Sequence, residues 1–389
     1  MSGIGASYPA PIAARDKPRL AVTCLKLTNF RSYASAELSI KGGPVVLAGP
    51  NGAGKTNILD AISLLSPGRG LRGALLSDHI RRGPAVSDSG ALWAVAATVT
   101  RAGADYDIGT GLTSGPNGGE RRHVRLNGVE AKSSADLGDI VQLIWLTPAM
   151  DRLFIESAGG RRRFLDRLVL GFDASHARAA TRYETAMRER ARLLKFGPRD
   201  PAWLDGLENE MAEAGLALAA ARVATVDRLN RALCERETAG VFPAACLSLT
   251  GEEWTSADAL RQQLAASRMR DAESGRTLAG PHLTDLAARH TAKRADARDC
   301  STGEQKALLI SIMLAEVREL ARARGGMAPL LLLDEIAAHL DAKRRAALFE
   351  EIAALSVQAW MTGTDLSLFH GAQAEIFLVE DGKFTAKDA

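Results

Sequence analysis

The stretch that most narrows what this chain can fold into is Gly49-Pro50-Asn51-Gly52-Ala53-Gly54-Lys55-Thr56. It fits the pattern G-x-x-x-x-G-K-[ST], with the apolar run Pro44-Val45-Val46-Leu47-Ala48 before it and the amphipathic run Asn57-Ile58-Leu59-Asp60-Ala61-Ile62 after it. A buried strand, a glycine-rich loop and a helix in that order form a phosphate cradle. The glycines allow a tight turn that aims backbone N–H groups inward, and the helix start favours an anion. The pattern assigns Lys55 to the β- and γ-phosphates of a nucleoside triphosphate and the Thr56 hydroxyl to Mg²⁺. A chance glycine-rich turn could match the letters alone. The flanking strand and helix select the phosphate-binding reading.

A second apolar run, Leu330-Leu331-Leu332-Leu333, ends in Asp334-Glu335. Consecutive leucines read as a strand buried on both faces of a parallel sheet, and ligands bind at the carboxyl ends of such strands. Asp334 is expected to hold Mg²⁺, and Glu335, pointing elsewhere, to polarise an attacking water; with Lys55 they make the catalytic set. The plainer alternative is that the two acids only cap the next helix. A third stretch, Ser301-Thr302-Gly303-Glu304-Gln305, opens with helix-capping residues and a bare glycine, which makes another anion-binding terminus. Two such termini far apart in one chain make sense if the second faces the nucleotide of another subunit. Taken alone, it is only a capped helix.

Around these motifs the pattern predicts short strands over 20–27 and 37–40, then a β-rich region over 91–130 with a turn at 115–119 and the hairpin signal Asn127-Gly128. A buried strand is expected over 141–146. Residues 159–274 turn helical and charged, with an antiparallel helical pair over 174–196 and 202–238 joined at 197–201. The arginines at 178, 182, 188, 190 and 192 read as a solvated helix face. A strand is expected at 245–250 and a turn-rich return at 276–286. The last third alternates helix and strand: 303–324, 329–333, 342–355, 358–361 and 375–379, with a final turn at Asp381-Gly382.

Composition excludes more than it selects. A net charge of +3 over 389 residues does not by itself imply nucleic acid. The four cysteines lie far apart with no C-x-x-C pair, which fits reduced thiols in a cytoplasmic protein. No apolar run is long enough to span a bilayer, so no membrane partner is expected. Residues 1–18 lack a secretory apolar core and read as a flexible tail.

Taken in order, GPNGAGKT, STGEQ, LLLLDE and Ala338-His339-Leu340-Asp341 resemble the Walker A, signature, Walker B and D-loop motifs of ABC-type ATPases of the SMC and Rad50-like superfamily. Within it the chain resembles the RecF family of bacterial recombinational repair proteins. L-x-L-x-N-F-R-S-Y over 25–33, WLTPAMDRLF with GGRRRFLDRL, and TLAGPHLTDL carry that likeness, which covers nearly the whole chain. It implies an α/β fold: an ABC-type head with a mainly parallel sheet and an antiparallel β subdomain, plus a helical lobe with a short antiparallel arm. The expected boundaries are a tail at 1–18, one lobe at 19–149 and 311–389, and a helical lobe at 150–310.

The resemblance further implies an ATPase that forms a homodimer on binding ATP. Each nucleotide would be capped in trans by Ser301, Thr302, Gly303, Glu304 and Gln305 of the other subunit, and Asp341 would couple the two sites. The implied partners are double-stranded and gapped DNA, RecR and RecO. Several departures stand out. Leu283-Thr284 follows His282 where Arg-Asp is usual, Ala149 replaces an acid after Thr147-Pro148, and Gln142 lies too early for a glutamine loop. No switch histidine follows the last core strand, so Thr364 or Asp365 is expected to sense the γ-phosphate. The helical pair is too short for the coiled coil of SMC or Rad50, a transporter ATPase would carry the switch histidine, and a nucleotide-gated DNA scaffold remains a further alternative.

Overall fold

A computed structural model describes residues 19–83, 91–114, 120–197, 200–235, 240–380 and 382–387. The expected tail at 1–18, the turn at 115–119, Pro198 and Arg199 of the helix–helix connection, the end of the second arm helix at 236–238 and Asp381 of the last turn lie outside the described residues. In chain order come β1 (Leu20–Phe30), β2 (Tyr33–Ser39), β3 (Val45–Ala48), α1 (Lys55–Ser63), β4 (Ala91–Arg101), β5 (Ala104–Ser114), β6 (Glu120–Leu126), β7 (Val129–Glu130) and β8 (Leu143–Leu146). Then follow α2 (Ala158–Phe172), α3 (His176–Phe196), α4 (Pro201–Cys234), β9 (Ala245–Thr250), α5 (Ala257–Ser274), β10 (Asp285–His290) and β11 (Ala295–Asp296). The chain closes with α6 (Thr302–Ala323), β12 (Leu330–Leu333), α7 (Ala342–Ala354), β13 (Ala359–Gly363), β14 (Glu375–Glu380) and β15 (Lys383–Lys387).

Two compact units result: the chain up to Leu146 together with that from Leu320 onward, and Thr147–Glu319. The second division falls between Glu319 and Leu320, within α6, the same helix that holds the expected boundary at residue 311. In the first unit, a sheet of order β15-β14-β3-β13-β12-β8 is parallel except for β15 at its edge. All four residues of β3 and all four of β12 are buried, as expected for strands covered on both faces. The antiparallel sheet has the order β2-β1-β4-β5-β6-β7, so both early strands join the β-rich region. Asn127 and Gly128 take φ of 51° and 81°, the positive pair a tight hairpin requires. The Gln358 amide ties the sheets together: its Oε1 accepts from Val22 N–H at 2.8 Å and its Nε2 donates to Val22 O at 2.9 Å, both buried.

In the second unit, α3 and α4 pair antiparallel, with Arg182 bonded to Glu210 and Arg190 to Glu208. A third helix, α5, packs on them; sequence reading left it unresolved within the helical region. Arg190 corrects the solvated-face expectation: it is fully buried, donating to Glu208 at 2.9 Å, Asp271 at 2.7 Å and the Leu264 carbonyl at 2.7 Å. Arg178, Arg182, Arg188 and Arg192 are exposed as expected. The return segment also forms strand β10, which pairs with β9 and β11.

Candidate nucleotide site

The central strands of the parallel sheet bring separate motifs to one edge. β3 ends at Ala48 and enters the glycine loop, and β13 beside it pairs Thr362 with Leu47 and Gly363 with Ala48. β12 lies on the other side of β13, with Leu333 opposite Met361. The loop is held at its start by Gly49 N–H donating to the Gly363 carbonyl at 3.2 Å. A Cβ at Gly49 would lie 2.2 Å from the Val379 carbonyl oxygen, so only glycine fits there. At Gly54, φ is 106° and a Cβ would meet Tyr33 Oη at 2.7 Å and Ser32 Oγ at 2.8 Å.

Lys55 opens α1 and is nearly buried; its Nζ donates to the carbonyls of Gly49 at 2.7 Å and Pro50 at 2.9 Å. Burial lowers its pKa, against the opposing pull of Glu335 and Asp334. The next residue makes the connection that matters most: Thr56 Oγ1 donates to Asp334 Oδ1 at 2.9 Å. The phosphate loop and the Asp-Glu pair are therefore one site. Hydroxyl and carboxylate oxygens are the hard donors Mg²⁺ takes, alongside phosphate oxygens. Among the described residues no group of three or more His, Cys, Asp or Glu could hold a metal ion.

Glu335 is partly exposed and adopts the left-handed conformation, with φ of 51°. Thr364 and Asp365 are exposed at the end of β13, where Asp365 accepts from Ser367 N–H at 2.8 Å. That bond lowers the carboxyl's pKa. Asp341 caps α7, accepting from Arg344 N–H at 2.8 Å.

The signature segment belongs to the second unit. Ser301, Thr302 and Gly303 are exposed, and a Cβ at Gly303 would meet nothing within 4 Å. Glu304 accepts from Ser301 N–H at 3.1 Å and pairs with Lys293, contacts that hold its pKa down to about 2, Lys293 contributing most. Gln305 is buried, donating to the Cys300 carbonyl at 2.9 Å. These two side chains brace the helix start and leave Ser301 to Gly303 facing outward.

Sequence reasoning missed Thr362, whose hydroxyl donates to Asp334 Oδ1 at 2.8 Å and accepts from Glu335 N–H at 2.9 Å. It also assigned no role to the N-F-R-S-Y segment, which buttresses the loop. Tyr33 Oη donates to the Gly54 carbonyl at 3.1 Å, and Asn57 Nδ2 to Ser32 Oγ at 2.9 Å. Arg31 and His79 converge on Asp60 of α1. Burial alone would raise the Asp60 pKa, but the neighbouring His79 and the charge of Arg31 bring it below the ordinary value.

A parallel sheet delivering a phosphate loop and an Asp-Glu pair to one edge, with an antiparallel sheet in the same unit, defines an ABC-type P-loop ATPase head. The family model "RecF/RecN/SMC N terminal domain" matches residues 21–383. "DNA replication and repair protein RecF" of Rhizobium etli is 48% identical over 375 residues, covering 94% of this chain and 98% of that protein. The protein of the same name from Mesorhizobium japonicum is 49% identical over 373 residues, covering 93% and 96%. The chain belongs to the RecF family of DNA replication and repair proteins. Among solved structures, the recombination mediator protein RecF-ATPrS of the RecFOR pathway superposes with a TM-score of 0.80 at 22% identity, covering 96% of this chain and 99% of that one. An Smc head domain from Pyrococcus furiosus superposes at 0.52 with 19% identity, covering 95% and 96%. These two likenesses are of fold. Among the described residues no helix is long and apolar enough to cross a membrane.

Proposed function

We propose that this chain is an ATPase that binds ATP with Mg²⁺ at residues 49–56, pairs with a second copy while ATP is bound, and closes on double-stranded DNA near single-strand gaps. It acts in the cytoplasm with RecO and RecR to promote recombinase loading. The observation that carries the reading is the 2.9 Å bond from Thr56 to Asp334, which joins motifs from opposite ends of the sequence. A solved RecF described as RecF-ATP supports the nucleotide.

In this reading Lys55 gives up the Gly49 and Pro50 carbonyls for β- and γ-phosphate oxygens, and the loop N–H groups hold the rest. Thr56 and Asp334 hold Mg²⁺, which supplies charge neutralisation on the phosphates. Glu335 orients the attacking water, and Thr364 or Asp365 contacts the γ-phosphate. The partner's nucleotide is capped by the Ser301 hydroxyl and the outward N–H groups of Thr302 and Gly303, while Glu304 and Gln305 hold that helix start rigid. Asp341 couples the two sites. A ligand gripped from both sides favours the dimer only while its γ-phosphate remains, so hydrolysis releases the clamp.

Light scattering tests this. The protein should shift from monomer to dimer with ATP and not with ADP, and Glu335→Gln should accumulate the dimer. Ser301→Arg should bind ATP in an equilibrium titration and stay monomeric. Its dimerisation with ATP would refute capping in trans.

A further inference from the structure

We infer that Thr362 is a positioning residue for the hydrolysis proposed above, fixing the Asp334 carboxylate and the Glu335 main chain at once. The inference rests on the ATPase reading of the site. Thr362 lies near the end of β13, between the strand that feeds the phosphate loop and the strand that ends in Asp334-Glu335. It is 1% exposed. A hydroxyl has one hydrogen to give and can also accept. The Glu335 N–H is an obligate donor, at 2.9 Å, so Thr362 accepts there and spends its own hydrogen on Asp334 Oδ1, at 2.8 Å.

That arrangement answers two problems of the site. Thr56 donates to the same Asp334 oxygen, and it can keep that bond while a lone pair of its hydroxyl ligates a cation. Thr362 adds a second bond to that oxygen from inside the sheet, so the aim of the carboxylate does not rest on the phosphate loop alone. Glu335, meanwhile, occupies the left-handed region, which non-glycine residues rarely adopt and which persists only when the surroundings fix it. The bond from its N–H to Thr362 supplies that restraint and so sets where the Glu335 side chain leaves the backbone. The platform is firm: the neighbouring Gly363 carbonyl accepts from Gly49 N–H, and a Cβ at Gly363 would sit 2.5 Å from the Phe369 ring. One hydroxyl thus couples the aim of the two carboxylates to the strand that also anchors the phosphate loop.

Thr362→Val keeps the volume and removes the hydroxyl, whereas Thr362→Ser keeps the hydroxyl. In the valine variant kcat for ATP should fall ~10–100-fold, the range for losing a group that orients a ligating carboxylate, with little change in KM. Equilibrium titration should show a smaller Mg²⁺-dependent gain in ATP affinity for Thr362→Val and a restored gain for Thr362→Ser. In an Asp334→Asn background, Thr362→Val should reduce that gain little further. Wild-type turnover in the valine variant, a serine variant as impaired as valine, or an undiminished valine effect in the Asp334→Asn background would each overturn the inference alone. A wild-type protein that neither binds nor hydrolyses ATP would overturn the ATPase reading, and the inference with it.

Discussion

An alanine at position 54 would force a Cβ to 2.7 Å from Tyr33 Oη while holding φ at 106°. Gly54→Ala should therefore lose measurable ATP binding in an equilibrium titration and cost about 1–3 kcal/mol in denaturant unfolding, as strained positions do. The glycine loop, the leucine run and the Asp-Glu pair were readable because each is contiguous and each chemistry is carried by neighbours in sequence. Thr362 was not readable. Its value lies in two bonds to the residues just past strand β12, 27 and 28 positions away, and a threonine in an apolar strand gives no local sign of them. Arg190 failed for the opposite reason. It shares a helix with four exposed arginines, and only the folded partners Glu208 and Asp271 set it apart.

Elements were legible in proportion to their apolar patterning. The buried strands β3 and β12 and the long helices α3, α4 and α6 follow the expected ranges closely. Helix α5 went unnamed because its buried side is half polar: Leu260 and Leu264 share it with Ser267 and Asp271. The strand β10 was hidden because its inward positions, Leu286, Ala288 and His290, follow a turn signal and include one large apolar side chain. Helix α6 buries an ionisable side chain, Glu316. Burial pushes the Glu316 carboxyl up to about 8, with Arg167 of α2 pulling the other way. A carboxyl raised in the fold keeps its proton there while the unfolded chain ionises. Its contribution is full below the ordinary value of 4.5 and is lost as pH rises towards about 8. Unfolding followed by calorimetry should show Glu316→Gln close to wild type at pH 4, then more stable as pH rises, by up to ~1.4 kcal/mol per pH unit.

For the molecule as a whole, two compact units each hold their own hydrophobic core: Trp93, Leu47 and Leu332 belong to one, Tyr183, Met211 and Leu264 to the other. Ligand that binds only the folded state stabilises what it touches, by ~2.7 kcal/mol at a hundredfold excess over Kd. In the monomeric Ser301→Arg variant, ATP should raise hydrogen-exchange protection in residues 19–146 and 320–387, and leave residues 147–300 near their nucleotide-free level. Equal protection of both would show that the site draws on both units of one chain. The order of the parallel sheet also governs how the protein comes into being at the ribosome. β3, the strand that leads into the phosphate loop, has β13 on one side and β14 on the other, both drawn from the chain's last tenth. At ~5–20 residues per second, the nascent phosphate loop waits tens of seconds for the strands that flank it. Throughout that interval its apolar lead strand lacks both sheet neighbours, which makes it a natural customer for chaperones.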